Sequence, residues 1–451
     1  MQEKGVNMPY ISNTDRDRRE MLAQIGVENF DELIQAIPAK FRVKDGLHMG
    51  KALSEMEITE KIKSQTCKNL CAQTANSFLG AGVYDHFIPA AVDAIVSRPE
   101  FYSAYTPYQA EVSQGTLQYI YEYQTMICEL TGMDIANASM YDGASAIAEA
   151  ILMAVRSNKR QKALLPATLN PEYLRVIKAY TEGVGVELIS IPAKDGLSDL
   201  DALQKSLDDS VSSVVIQSPN FYGNIEDAQA ISELVHHQQN CLLIACVDPI
   251  SLAILNAPSE YKADIVVGEG QALGNSMYMG GPLFGFFATL LPMSRQMPGR
   301  IVGGTVDKEG KRAYALTLQT REQHIRRAKA TSNICSNQSL CTLAATVYMS
   351  LMGKEGLREV ALQSTQKAHY LAAELGKIKG ISLKYPQAAF FKEFVINTPI
   401  PAQTIITRMA PRNIYPGVAI GEDELMLAVT ERKRKREIDD FVKQMQEVCH
   451  A

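Results

Sequence analysis

Short β-branched runs recur through the middle of the chain: KALLPAT (162–168), VELISIP (186–192), SSVVIQSP (212–219), LLIACVDP (242–249) and ADIVVGEG (263–270). They are continuously apolar, as strands buried on both faces are. Helix-like segments at 171–181, 199–207 and 226–236 separate the first four. Strand, helix, strand, helix predicts a parallel sheet covered by helices on both sides. A last strand, LFGFFATLL, follows the pair Gly280–Gly281.

The flanks have other periods. Near the start, Asn13 or Thr14 caps a helix carrying Met21, Leu22 and Ile25, which Gly26 ends. A second short helix, 30–37, stops at Pro38 because proline cannot continue it. Residues 61–157 read as mostly helical around a Tyr-rich loop. From about 331 come helices at 337–352 and 357–375, parted by Gly353, then strand candidates ISLKY and FKEFVINT and a Pro-rich crossing at 399–401. A final amphipathic helix places Ile438, Phe441, Val442, Met445 and Val448 on one face. The expected organisation is a helical arm (1–60), a large α/β domain (61–330) and a smaller α+β domain (331–451).

Charge adds mainly exclusions. Lys plus Arg is 45 and Asp plus Glu 50, a formal net charge of −5. Such a balance offers no electrostatic reason to bind nucleic acid or an anionic membrane. The basic run Arg432–Arg436 reads as a solvated helix start. Eight cysteines are scattered without a zinc-ligand spacing, so no metal is expected, and buried free thiols in a reducing cytoplasm are the simplest account. The first residues lack the apolar core of a secretory signal, and no stretch is long and apolar enough to span a membrane.

Five constellations carry candidate chemistry. DGASAIAEAILMAVRSN (142–158) opens a helix on a Gly-Ala-Ser turn, where free N–H groups and Ser145 can receive a phosphate; the same turn is also an ordinary cap. Asp248 ends an apolar strand, where a carboxylate can hold a protonated pyridine nitrogen; aspartate is equally common there for structural reasons. The loop after the next strand has the shape that carries a Schiff-base lysine, yet no lysine occurs between Lys262 and Lys308, and Gln271-Ala272 stands in the loop. Glutamine cannot form a Schiff base. The segment 101–132 clusters Tyr102, Tyr105 and Tyr108 with Glu111 and Gln114, as a polar pocket wall or an aromatic packing patch. Finally, Arg321, Arg326, Arg327 and Lys329 form a basic stretch before the polar loop 330–338, an anion-receiving edge or a solvated helix face.

Taken together, YTPYQAEVSQG, LQYIYEYQTMICELTGMDIANAS, DGASAIAEA, MGGPLFGFFA, MPGRIVGGTVD, LTLQTREQHIR and KATSNICSNQ resemble the glycine decarboxylase P-protein family, in its order, from about Tyr105 to Gln338. ISNTDRDRREMLAQIGV and IPAKFR extend the resemblance to the arm; it weakens after residue 380. It implies a type I pyridoxal-phosphate-transferase-like fold. It also implies the amino-terminal half, or subunit 1, because the family's other half carries a His-Lys phrase where this chain has Gln271-Ala272. In that family pyridoxal phosphate acts as the electron sink while glycine loses CO2, and the aminomethyl group passes to the lipoyl arm of H-protein, with functional links to T-protein and L-protein. The cofactor would then sit covalently on subunit 2, in a hetero-oligomer with two of each chain. Tyr105, Tyr108, Gln109 and Glu111, then Lys329, Ser332, Asn333 and Cys335, and more loosely Thr305, would reach the shared site. Ser145, Asp248 and Gln271 would line a vestigial pocket. Two further readings stay open: a self-sufficient pyridoxal enzyme using another lysine, such as Lys329, and a non-catalytic scaffold.

Overall fold

In the computed structural model, residues 13–43, 50–69, 75–104, 106–278 and 280–450 are described. By contact the chain forms two units, Met1–Asn69 and Leu70–Ala451. The first consists of helices α1 (Asp15–Ile25), α2 (Phe30–Leu33) and α3 (Glu55–Thr66). Thr14 with Asp17, and Ser54 with Glu57, close reciprocal caps on α1 and α3, and Gly26 ends α1 in the left-handed region. The second helix is shorter than the expected 30–37: Ile34 leaves helical geometry and turns follow. None of these helices buries a side chain among the described residues.

The second unit runs β1 (Asn76–Ser77), α4 (Ala90–Val96), α5 (Pro99–Tyr102), α6 (Gln114–Thr131), β2 (Ile135–Ala136), α7 (Gly143–Asn158), β3 (Lys162–Pro166), α8 (Pro171–Thr181) and β4 (Glu187–Ile191). A small hairpin, β5 (Ala193–Lys194) and β6 (Leu197–Ser198), leads to α9 (Leu200–Ser206), β7 (Val211–Ser218), α10 (Ala228–His237), β8 (Leu242–Val247), β9 (Ile265–Glu269) and β10 (Gly285–Thr289). The seven-stranded sheet is ordered β2-β10-β9-β8-β7-β3-β4. Strands β4, β3, β7, β8 and β9 are parallel; β10 is antiparallel to both its neighbours. Burial alternates with the pleat. Leu243, Ala245 and Val247 of β8 enter one core, with Tyr123, Ile231 and Tyr348. Ile244 and Cys246 enter the opposite core, with Ile147, Ile151 and Ile177. Both faces are covered, which is why the strands read as unbroken apolar runs.

A hairpin of β11 (Ile301–Val306) and β12 (Arg312–Thr317) follows, then the single turn α11 (Gln323–Arg326). Two amides on α6 hold the hairpin: Gln124 brackets the backbone of Val302, and Gln114 that of Tyr314. The long α12 (Ser339–Leu375) is broken at Gly353, as the two expected helices require. Then come β13 (Ser382–Leu383), β14 (Glu393–Asn397), α13 (Ala402–Met409), β15 (Ile414–Tyr415), β16 (Val418–Gly421), β17 (Glu424–Ala428) and α14 (Lys435–His450). The antiparallel sheet β13-β14-β17-β16 packs with α14 and the second half of α12 on a separate core that also takes in Phe78.

The basic run 432–436 departs from the expected solvated helix start. Arg432 pairs with Asp85, and Lys433 is buried with its ammonium on Asn76 Oδ1 at 2.9 Å. Only from Lys435, paired with Asp439, does the exposed helix begin. The thiols also divide. Cys241, Cys246, Cys341 and Cys449 are buried, but Cys67 and Cys335 are exposed, and Cys71 lies outside the described residues. Among the described residues no helix is long and apolar enough to cross a membrane, and no side-chain cluster suits a metal ion.

The turn after β7 fixes where β14 lies. Gly223 has φ +83°, and a Cβ there would fall 1.8 Å from the Glu393 carbonyl oxygen. Its own carbonyl accepts the Phe391 N–H at 3.1 Å. Gly223→Ala should therefore cost more than about 2 kcal/mol, from left-handed strain plus backbone displacement, read as a lower urea midpoint. An unchanged midpoint would mean that β14 is not held by this turn.

Candidate active site

Ligands of open α/β sheets sit at the carboxyl ends of the strands. Here Asp248 follows β8, Glu269 closes β9, and the α7 N-terminus lies beside them. Between them a cavity of ≈ 40 Å³ is lined in part by Gly82, Tyr84, Tyr173, Asp248, Glu269 and Lys392.

Asp248 is not free. Lys392 Nζ lies 2.6 Å from Asp248 Oδ2, and the Lys392 residue is only 2% exposed. The ammonium also stands 3.8 Å from the Tyr84 ring centroid and 2.9 Å from His86 Nε2. An ammonium has no lone pair, so Nε2 accepts and the imidazole proton sits on Nδ1. From there it donates to Glu431 Oε2 at 2.6 Å. Burial and the Lys392 charge push His86 below its ordinary value. Burial works to raise Asp248 and Glu431, but the opposing charges and hydrogen bonds, led by Lys392 at Asp248 and by His86 at Glu431, together outweigh it and hold both carboxyls below the usual range.

Two further carboxyl groups are buried here. Glu269 Oε2 accepts the Gly143 N–H at 3.0 Å, at the first turn of α7. Its Oε1 accepts from the Gln271 N–H at 3.1 Å and the Phe284 N–H at 3.3 Å. Burial nevertheless pushes Glu269 up to about 8. Glu393 accepts the Ala81 N–H and the Tyr84 hydroxyl, and burial pushes it up to about 7. Ser145 closes a capping box with Asp142. Gln271 is 2% exposed and fully engaged. Its Oε1 accepts the Tyr84 N–H at 3.0 Å, while Nε2 donates to the Tyr84 and Asn275 carbonyls at 3.1 and 2.7 Å.

Among the sequence candidates Asp248 lines this cavity; Ser145, Gln271 and the other described candidates do not. Tyr105 lies outside the described residues. Tyr108 is half-buried, with the Arg300 guanidinium 3.9 Å from its ring centroid; burial raises its phenol. Ser332 donates to Glu149 Oε1 at 2.8 Å, and the Cys335 N–H to the Tyr141 hydroxyl at 3.2 Å, so the loop 330–338 is stitched to α7 and to the segment entering it. Gln109, Glu111, Thr305, Lys329, Asn333 and Cys335 are exposed. The basic stretch is not one cationic face: Arg321 is buried and donates to the Met297, Gly299 and Leu318 carbonyls.

The profile of the glycine cleavage system P-protein family matches residues 8–445. The chain belongs to this family. Its sequence is 49% identical to a probable glycine dehydrogenase (decarboxylating) subunit 1 of Chloroherpeton thalassium, across 98% of this chain and all of the relative. It is 52% identical to the same-named protein of Chlorobium limicola, across 96% and 99%. An inhibitor-bound crystal structure of the glycine decarboxylase P-protein of the glycine cleavage system superposes with a TM-score of 0.90 at 41% identity, covering 98% of this chain and all of that one. A Lactobacillus brevis glutamate decarboxylase, at 12% identity and TM-score 0.69 over 94% and 97% of the two chains, shares the fold alone.

P-proteins are pyridoxal-phosphate enzymes of fold type I, and the interior of this P-protein chain does not fit the cofactor. The anchoring loop offers an amide that is already bonded, Asp248 is taken by Lys392, and ≈ 40 Å³ is far below the about 300 Å³ of a small-molecule pocket. Sequence reading named Asp248, which lines the cavity, with Ser145 and Gln271, which do not, and did not name Lys392, Glu393, Glu269 or His86. The available signal was FKEFVINT: two adjacent charges opening an apolar strand, where a charge is costly to bury unless paired.

Glu393 and Glu269 bind protons in the folded chain that the unfolded chain releases near pH 4.5. Stability should thus fall as pH rises through about 7 and on to about 8, at roughly 1 kcal/mol per pH unit per group. Between pH 7 and 8.5 His86, Asp248 and Glu431 no longer oppose this, since their folded values lie lower. Denaturant titrations of the wild type should show that decline, and Glu269→Gln should flatten its upper part. A slope unchanged by the substitution would contradict the assignment.

Proposed function

We propose that this chain is subunit 1 of a two-subunit glycine dehydrogenase (decarboxylating), and that it completes a site whose pyridoxal phosphate is held by subunit 2. The observation that carries this reading is Gln271: where a Schiff-base lysine would stand, a buried amide spends both its polar atoms on the Tyr84 backbone and Asn275. The bound cofactor supplies the electron sink for decarboxylation of glycine. No step runs through it on this chain. The names and full-length coverage of the relatives support the two-subunit form. Lipoylated H-protein would receive the aminomethyl group, with T-protein and L-protein acting downstream, in the cytoplasm.

This chain's share of the site would come from its outer loops. Tyr105, Tyr108, Gln109 and Glu111 would face the partner with Thr305, Lys329, Ser332, Asn333 and Cys335. Among those described, the half-buried phenol of Tyr108 has the Arg300 guanidinium 3.9 Å from its ring centroid. The exposed amides and hydroxyls have the chemistry to orient a carboxylate or phosphate.

Purified alone and given pyridoxal phosphate, the chain should yield no borohydride-stable adduct and no glycine-dependent CO2 exchange. Mixing it with the lysine-bearing subunit should restore exchange. In the mixed enzyme Tyr108→Phe, which keeps the ring beneath Arg300, should lower kcat at least tenfold without weakening subunit association. Exchange by the chain alone would overturn the reading. Unchanged turnover in Tyr108→Phe would make that residue a packing element.

A further inference from the structure

Resting on the reading that the cofactor belongs to the partner, we propose that Lys392 and Glu269 are built-in occupants of this chain's pocket. Together they fill the positions of a cationic ring nitrogen and of a phosphate, and they shut pyridoxal phosphate out even if an amine is supplied.

The argument starts from what the two ends of such a pocket require. A carboxylate at a strand end wants a cation; a helix N-terminus wants an acceptor for its free N–H groups. Both wants are met from within. Lys392 Nζ is 2.6 Å from Asp248 Oδ2, and the tyrosine that borders the cavity, Tyr84, lies under the ammonium at 3.8 Å from its centroid. A flat aromatic under a cation is the contact a bound ring would otherwise make. At the other end, Glu269 Oε2 takes the Gly143 N–H and Asp142 Oδ1 takes the Ser145 N–H. A Cβ at Gly143 would lie 2.9 Å from the Glu269 backbone nitrogen, so the helix start and the strand end leave no room for a tetrahedral anion between them.

The occupants come from elements that a cofactor would bridge. Lys392 enters from the segment leading into β14, whose carbonyl accepts the Val429 N–H at 2.8 Å. His86 bridges by hydrogen bonds from Lys392 to Glu431, and Phe87 N–H donates to the same carboxylate at 2.6 Å. The segment around residue 86, the end of β8 and the β14–β17 edge are thus tied by one ion cluster. The absent amine and the filled pocket are separate barriers, and removing the first leaves the second.

The probe is pyridoxamine 5′-phosphate, which has the ring and phosphate but no aldehyde, read by thermal shift and equilibrium dialysis on the full chain. The wild type should show no binding. Lys392→Ala/Glu269→Ala should melt lower than wild type and regain several degrees with the probe, binding it at least tenfold more tightly. Should that double variant fail to fold, Glu269→Ala alone carries the test with inorganic phosphate as the probe, because it frees the α7 N-terminus while Lys392 still fills the ring end, and it should bind phosphate while wild type does not. Gln271→Lys alone should form no borohydride-stable adduct with pyridoxal phosphate, whereas Gln271→Lys with Lys392→Ala and Glu269→Ala should form one at position 271. Probe binding by the wild type, capture by Gln271→Lys alone, or no binding by the folded double variant (or by Glu269→Ala in its place) overturns the proposal. These results leave the partner-held cofactor untouched; only a borohydride-stable adduct with glycine turnover on the wild-type chain would bring that reading down.

Discussion

The Lys392–Asp248 ion pair is the constraint on which the interior of the second unit depends. Removing an ammonium and a carboxylate from water costs several kcal/mol each, and their attraction repays that only when the remaining valences are satisfied. Here they are. Asp248 also accepts the Ile250 N–H at 2.8 Å, Lys392 spends a second proton on His86, and Tyr84 offers its ring face. Such a pair is poor evidence for net stability, yet it is strong evidence for register. A β14 displaced by a residue would leave two buried charges unmatched, and few alternative packings can accept that.

The rest of the architecture brings this pair together. Five parallel strands, four of them buried on both faces, end at one edge, so Asp248 and Glu269 emerge side by side from β8 and β9. Gly223 lets the β7 turn press against the backbone at Glu393, and Gly268 lets Val247 and Phe286 close over β9. These are positions where backbone approach leaves no space for a side chain. The second core then holds β14 from the far side through Phe394 and Ile396. The site residues are exact in place because the sheet and the two cores leave them little else to do.

Most of the fold was legible along the chain, because parallel strands and their helices write their periods locally. The five runs from 162 to 270, the break at Gly353 and the apolar face of the last helix all lie where the pattern puts them. Long-range pairing was not legible. Asp248 announced itself as a strand-end carboxylate, but its partner is 144 residues away and carries no mark beyond an odd lysine before an apolar strand. Lys433 and Arg321 failed for the same reason: a basic run looks solvated until carbonyl or amide acceptors fold onto it. Phosphate and cap readings of the α7 turn could not be separated in sequence, since both use the same N–H groups. The structure gives the Ser145 N–H to Asp142 and the Gly143 N–H to Glu269.

The chain belongs to a pyridoxal-phosphate family, yet its own pocket is neutralised from inside, while polar side chains on its outer loops remain exposed. The proposed division of the site between two subunits accounts for both facts. The most direct test of the central claim is a double-mutant cycle on unfolding free energy with Asp248→Asn and Lys392→Met. Each single change should cost about 3–5 kcal/mol by stranding its partner's charge, and the double should cost far less than their sum, a coupling above about 2 kcal/mol. Additive single effects would show that the two charges do not share the pocket, and the account would fail.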